Sequence, residues 1–458
     1  MNTIDTISAL CTVPGGAIAI IRISGNKALE IGNSVWKGKK PLSSEESRKM
    51  LFGTCITDNN GKYADQALAV YMKAPYSYTG EDVVEIHCHG GTLVSRRILD
   101  ATVRCGARPA EPGEYTFRAF MNGKMDLTEA EAVSDIISAH SDLALNLAEK
   151  QLSGTLGKKI NRLKVKILDL LSEIESRMDF PEEHLDWTSN AEYIKILNEI
   201  LEALKELLST RTKGVIIRDG VKLVIAGRPN VGKSSLLNML LGQERAIVTP
   251  LPGTTRDTLE EFATIRNIPV KMIDTAGIRE ADDIIEQKGI ERSYASIDLA
   301  NVIFWLMNAS ENPEEEFKIM LEHTEGKKNI IPVWNKIDLI DTAADQLPGA
   351  DRVPGNTPVA ISASSGNGIE KLLDAFENLV WGSDNNQETD TAVSTRHAAL
   401  LEQAEPHLSG AIEEIITEDW ELAAAELRKA LHSLNMITGE HAAPDVLENI
   451  FSKFCIGK

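Results

Sequence analysis

The chain runs to 458 residues, 43% of them hydrophobic and 25% charged, with a formal net charge of −20. That length exceeds one ordinary hydrophobic core and predicts two or three domains, while the composition is that of a chain that folds. The acidic balance, without a long Lys/Arg run, predicts a surface that repels bare nucleic acid unless basic residues are segregated into a patch.

In chain order, the N-terminal quarter reads as α+β. Strand-like runs are Gly16 to Ile23, Ala67 to Met72 and Asp82 to His87, parted by turns such as Pro14-Gly15-Gly16 and Glu111-Pro112-Gly113. The texture changes near Leu127. Thr128-x-x-Glu131 reads as a capping box, and apolar residues recur at Val133, Ile136, Ile137, Leu143, Leu147 and Leu152. After Gly154 and Gly157 a second helix carries Leu156, Ile160, Leu163, Ile167, Leu170 and Ile174, a seam expected to lie against other helices. Asp179-Phe180-Pro181 interrupts it, and an acidic helix follows around Tyr193 to Leu208. Its charges, from Glu182 to Glu206, read as a solvated face.

From Val215 to Trp381 strands alternate with helices, the pattern of a parallel α/β sheet. The strands expected are Val221 to Ala226, Val270 to Asp274, Asn301 to Met307, Ile330 to Asn335 and Pro358 to Ser362. A polar linker, Gly382 to Gln387, leads to a helical tail with Leu427, Leu431, Leu434 and Ile437 on one face. The expected fold class is therefore multidomain α/β: a parallel-sheet domain at 216–380 inserted into an all-α domain at 124–215 plus 381–458, after an α+β domain at 1–123.

Five cysteines without a regular framework (Cys11, Cys55, Cys88, Cys105, Cys455) argue for a reducing compartment. The start, Met1 to Thr6, lacks the features of a signal peptide, and no apolar stretch is long enough to span a bilayer. The expected location is the cytoplasm, with no membrane partner.

Gly227 to Ser234 read G-R-P-N-V-G-K-S and follow the apolar run Val221 to Ala226. In G-x-x-x-x-G-K-[S/T] the glycines let backbone N–H groups wrap a β-phosphate, Lys233 reaches the β/γ-phosphates and Ser234 gives an oxygen to Mg²⁺. Ser235 then opens a helix whose positive end faces the anion. Asp274, in Asp274-Thr275-Ala276-Gly277, would hold Mg²⁺ through water, and the Gly277 N–H would sense the γ-phosphate. In Asn335-Lys336-x-Asp338, a buried Asp338 carboxylate would accept both donors of guanine and reject adenine. Ser362-Ala363-Ser364 would contact the guanine oxygen through backbone. The ordered set predicts a site that binds and hydrolyses GTP. Ile278 stands where Ras-like enzymes carry a water-orienting Gln, so another group is required; Glu280, Asp282, Asp283 and Glu286 are within reach. No rule selects an arginine finger from Arg256, Arg279 and Arg292.

Along its full length the chain resembles the MnmE (TrmE) family of tRNA-modification GTPases, in the translation-factor class. The resemblance rests on Ile20-Ile21-Arg22-Ile23-Ser24-Gly25, Thr79-Gly80-Glu81-Asp82, the run Arg108 to Phe120, Asn122-Gly123-Lys124, Gly253-Thr254-Thr255-Arg256-Asp257 and the terminal Phe454-Cys455-Ile456-Gly457-Lys458. It implies an N-terminal domain that binds a 5-formyl- or 5,10-methylene-tetrahydrofolate and dimerises, a split helical domain and an inserted G domain. It also implies K⁺-stimulated hydrolysis as two G domains of a homodimer meet. Asn230 matches the potassium ligand, with loop oxygens from Thr249, Leu251 and Thr254, and Thr255 matches a second Mg²⁺ ligand. The nucleotide contacts carried over are Asn230, Val231, Gly232, Lys233, Ser234, Ser235 and the loop Thr249, Pro250, Leu251, Pro252, Gly253, Thr254, Thr255. Glu286 matches the residue that orients water. Arg22, Glu85, Lys124 and Lys458 match folate positions, where carboxylate and cations suit a pterin ring and a glutamate tail. The family acts with a flavoprotein, MnmG (GidA), which carries FAD, on C5 of the wobble uridine of certain tRNAs.

Blander readings stand beside these. His87-Cys88-His89 has the residue types of a metal site, but on a strand Cys88 points away from the two histidines, which then read as core or turn residues. Cys455 is either a nucleophile or a small apolar filler. Arg118 and Lys124, without the family match, read as solvated surface charges. Arg256 and Asp257 read as switch-loop residues without an assigned role. The alternatives to a wobble-uridine enzyme are a ribosome-assembly or RNA-binding GTPase, and a folate-dependent one-carbon transferase with a regulatory G domain.

Overall fold

The computed structural model describes residues 5–56, 63–180, 187–243, 261–273, 297–324, 327, 329–340, 347, 357–382 and 390–458. They fall into two compact units, one of residues 1–137, 150–204 and 399–458, the other of 138–149 and 205–398. Among the described residues no helix is long and apolar enough to cross a membrane.

The first unit opens with seven strands: β1 (Ile7–Leu10), β2 (Ile18–Ser24), β3 (Trp36–Gly38), β4 (Leu51–Ile56), β5 (Tyr63–Met72), β6 (Val83–His89) and β7 (Arg108–Pro109). They form one sheet in the order β3-β4-β5-β6-β2-β1-β7, antiparallel except where β7 runs parallel to β1. Alternate residues point to one face. Ala19, Ile21, Ile23, Val84, Ile86, Ala67 and Ala69 are buried there against α1 (Ala28–Val35) and α2 (Thr92–Arg104). The opposite face carries Arg22, Glu85 and His87, in register across β2 and β6.

Helices α3 (Glu114–Met121), α4 (Leu127–Ser138), α5 (Asp142–Leu152), α6 (Thr155–Asp179), α7 (Asn190–Ser209) and α8 (Arg211–Asp219) follow in the chain, of which α8 and residues 142–149 of α5 belong to the second unit. The capping box lies two residues before the expected one. Asp126 Oδ1 accepts the Glu129 N–H at 2.9 Å, and Glu129 Oε2 accepts the Asp126 N–H at 2.8 Å. The apolar run from Val133 to Leu152 is two helices, because Ser141 starts α5 by accepting the Ala144 N–H on its hydroxyl. The seam expected on α6 is buried at all six positions.

The second unit holds β8 (Val221–Gly227), α9 (Lys233–Gln243), β9 (Glu261–Ile265), β10 (Ile268–Met272), β11 (Val302–Asn308), α10 (Pro313–Thr324), β12 (Ile330–Asn335), β13 (Val359–Ala360) and α11 (Ile369–Trp381). Its sheet runs β13-β12-β11-β8-β10-β9, parallel but for the β9–β10 hairpin. Leu223 and Ile225 enter one core and Val224 and Ala226 another, so both faces are covered and the strands read as unbroken apolar runs. The tail adds α12 (Thr395–Thr417), α13 (Trp420–Thr438) and α14 (Pro444–Phe451). In the first unit α13 packs on α6. It is capped by the Asp419 carboxylate at one end and by left-handed Gly439 at the other.

Candidate functional site

The parallel sheet places its loops at the C-terminal ends of β8 and β12, where open α/β sheets bind ligands. Gly227 ends β8 at φ +138°, and a Cβ there would collide with the Leu306 carbonyl on the neighbouring strand. Asn230 is left-handed at φ 60°, and a Cβ on Gly232, at φ +100°, would run into the Asn335 amide that packs against it. Helix α9 starts at Lys233, whose Nζ donates to the carbonyl oxygens of Gly227 and Arg228, each at 2.9 Å. Ser234 and Ser235 are exposed in its first turn, at the positive end of the helix.

Asn335 does something its motif did not reveal. It is 2% exposed, donates Nδ2 to the Val231 carbonyl at 2.8 Å and accepts the Ala363 N–H on Oδ1 at 2.9 Å. It braces the phosphate loop against the 362–364 segment. Lys336 is left-handed at φ 66°, and Asp338 sits on the short turn Ile337–Leu339. The carboxylate expected to be buried is exposed. The desolvation that makes it selective must come with the base that covers it. Ser362 is fully buried, its N–H bonded to the Asn367 carbonyl and its hydroxyl 3.0 Å from that of Ser364. Thr249, Pro250, Leu251, Pro252, Gly253, Thr254, Thr255, Asp274, Thr275, Ala276, Gly277 and Glu286 lie outside the described residues, as do Ile278 and the three candidate arginines.

A second cluster forms on the sheet of the first unit. Arg22 Nε lies 2.8 Å from Glu85 Oε1, and His87 Nε2 lies 3.3 Å from the other oxygen. These contacts, that of His87 foremost, outweigh burial and hold the Glu85 carboxyl below the ordinary carboxylate range. The Arg22 guanidinium lies between Tyr78 and Tyr115, 5.7 and 5.4 Å from their ring centroids. Beside it Cys11 feels Arg22, Glu85 and Lys458, although burial, the largest influence, pushes its thiol up.

The C-terminal tail closes this cluster. Ile456 bridges to Pro112, the Tyr115 N–H donates to the Lys458 carbonyl at 3.0 Å, and Lys458 N–H turns back to Cys455. Gly457 is left-handed at φ +96°, and a Cβ on it would lie 2.8 Å from the Leu10 carbonyl oxygen. The fold thus gathers Arg22, Glu85 and Lys458. Lys124 is exposed and donates to the Pro75 carbonyl at 3.1 Å, without a described contact to the Arg22–Glu85 pair. Cys455 is exposed.

Arg118 is not a surface charge. It is 0% exposed and lies 2.6 Å from Asp5, 2.9 Å from Glu114 and 3.1 Å from Glu81. Arg108 joins the same carboxylates, at 2.7 Å from Asp5 and 2.6 Å from Glu114. The legible signal was the i,i+4 pair Glu114/Arg118 on α3. His87 and His89 engage Glu85 and Asp65 respectively, while Cys88 is buried on the other face.

Two family models match the chain: the GTP-binding protein TrmE N-terminus over residues 6–124 and the MnmE helical domain over 127–455. The tRNA modification GTPase MnmE of Clostridioides difficile (strain 630) is 41% identical over 461 residues, covering 99% of each chain. That of Natranaerobius thermophilus is 41% identical over 460 residues, covering 100% of each. Among solved structures, Era of Aquifex aeolicus is 30% identical over 41% of this chain and 66% of that chain, at a TM-score of 0.27.

Proposed function

The chain belongs to the MnmE (TrmE) family of tRNA-modification GTPases, and on that footing we propose that its GTP hydrolysis is K⁺-stimulated and serves modification of the tRNA wobble uridine. The group added at C5 is of the aminomethyl or carboxymethylaminomethyl type, its carbon drawn from a tetrahydrofolate. The chain acts as a homodimer in the cytoplasm, with a flavoprotein of the MnmG (GidA) type that carries FAD. Its domains divide as 1–123, 124–215 with 381–458, and 216–380.

The observation that carries the enzymatic reading is the phosphate loop braced by Asn335, with Lys233 aimed by the Gly227 and Arg228 carbonyls. The described part of the loop has the residue types that a nucleotide's phosphates require. Gly232 lets the loop backbone close on the Asn335 amide, and Ser234 would offer a hydroxyl to Mg²⁺ with Thr255 as second ligand. Asn230, with Thr249, Leu251 and Thr254, would hold K⁺, which supplies positive charge where an arginine finger otherwise would. Lys233 neutralises the phosphate oxygens while Glu286 orients water. Water attacks the γ-phosphorus, the bond to the β–γ bridging oxygen breaks, and GDP and phosphate leave. Asp338 selects guanine.

The Arg22–Glu85 pair with Lys458 supports folate binding, the carboxylate toward the pterin donors and the cations toward the glutamate tail, while Lys124 enters on the family match alone. The test is nucleoside analysis of tRNA from a strain lacking this chain. Loss of the C5 group from the wobble uridine, restored by the intact gene, is expected. Full modification in its absence would remove the reading and leave a GTPase of another process.

A further inference from the structure

An acid outside the nucleotide motifs reaches into the phosphate loop. Glu316 lies in the first turn of α10, is 2% exposed, and has both carboxylate oxygens engaged. One accepts Arg228 Nη1 at 2.7 Å, the other the backbone N–H of Asn308, at the end of β11, at 3.3 Å. Arg228 is the residue after the first glycine of the loop. Its carbonyl, with that of Gly227, accepts from the Lys233 ammonium. Glu311 comes within 3.6 Å of the same guanidinium, but it is half exposed and bonded to the Asn308 amide.

We propose that Glu316 is a positioning residue for phosphate binding: through Arg228 it fixes the carbonyl pair that aims Lys233. The route is continuous, from the end of β11 to Glu316, to Arg228 and to the lysine that meets the phosphates. A carboxylate this buried is a poor device for stability alone, since an apolar residue of similar size serves as well or better. The Arg228 side chain is 42% exposed, so solvent screens the pair and its worth to overall stability is small. What the pair does give is a direction, because the guanidinium fork cannot turn without breaking its bond to Glu316. The inference rests on the GTPase reading and deepens it.

The test is titration of the full chain with a fluorescent GDP analogue, for wild type, Glu316→Gln, Arg228→Gln, Arg228→Lys, Glu311→Gln and the double variant Arg228→Gln/Glu316→Gln. Each Gln variant of the pair should weaken GDP about fivefold, a size typical of residues acting through another. The double variant should be no weaker than the worse single, because the two act as one unit. Arg228→Lys should retain part of the affinity, since an ammonium still pairs with the acid. Glu311→Gln should bind as wild type. Wild-type affinity in both single variants, or losses that add in the double, would overturn the proposal. Should Glu316→Gln fail to fold, Arg228→Gln decides: weaker GDP at unchanged melting temperature supports it, and unchanged affinity sinks it. A wild-type chain that binds no GDP would instead remove the GTPase reading.

Discussion

Asn335 hands its side-chain N–H to the carbonyl of Val231 at 2.8 Å, across 104 residues of sequence. Its amide oxygen at the same time takes the Ala363 N–H. One buried side chain therefore sets the distance between the loop that meets the phosphates and the segment expected to meet the base.

Replacing Asn335 by Ala strands a buried carbonyl and a buried N–H, at about 1–3 kcal/mol each. Guanine-nucleotide affinity should fall at least about tenfold, since 1.4 kcal/mol is a factor of ten. Calorimetry with GDP checks this, and an affinity within twofold of wild type would show the brace to be dispensable.

Gly457→Ala should lift the tail from the first unit, because its φ of +96° disfavours a side chain and the new Cβ would press on Leu10 and Cys11. Binding of 5-formyl-tetrahydrofolate should be lost while GTP turnover stays at the wild-type rate. Folate affinity equal to wild type would place Lys458 outside that site.

Acid should loosen the Arg108–Arg118 network. Burial raises the Glu114 carboxyl, but hydrogen bonds from Arg108, the Glu111 N–H and Arg118 outweigh it and leave it below its ordinary value. Asp5 is lowered in the same sense, chiefly by Arg108. Carboxyls depressed in the folded state give stability that is complete above their unfolded pKa, near 4, and lost as pH falls through the folded value. Glu114→Gln should therefore cost about 3 kcal/mol near neutrality, with the gap to wild type closing as pH drops below about 4. Unfolding at several pH values measures this, and a gap that stays constant with pH would contradict it.

What was legible in the chain was local. Gly227 and Gly232 in their spacing, the α6 seam and the unbroken strands at Val221 and Ile330 each follow from periodicity or from a turn only glycine allows. What escaped was long-range. Nothing near Asn335 in sequence says that its amide will face Val231, and nothing near Arg118 says that three carboxylates will surround it. The exposure of Asp338 escaped too, because its motif marks the role of the carboxylate and not its solvent cover. Helix α8 and the strand β9 were missed because each is short and lies beside a stronger signal.

The most direct trial of the account is steady-state GTP turnover by the full chain in KCl and in NaCl at equal ionic strength. A cation held by Asn230 in place of an arginine finger should make hydrolysis at least about tenfold faster in potassium. Equal rates in the two salts would contradict it.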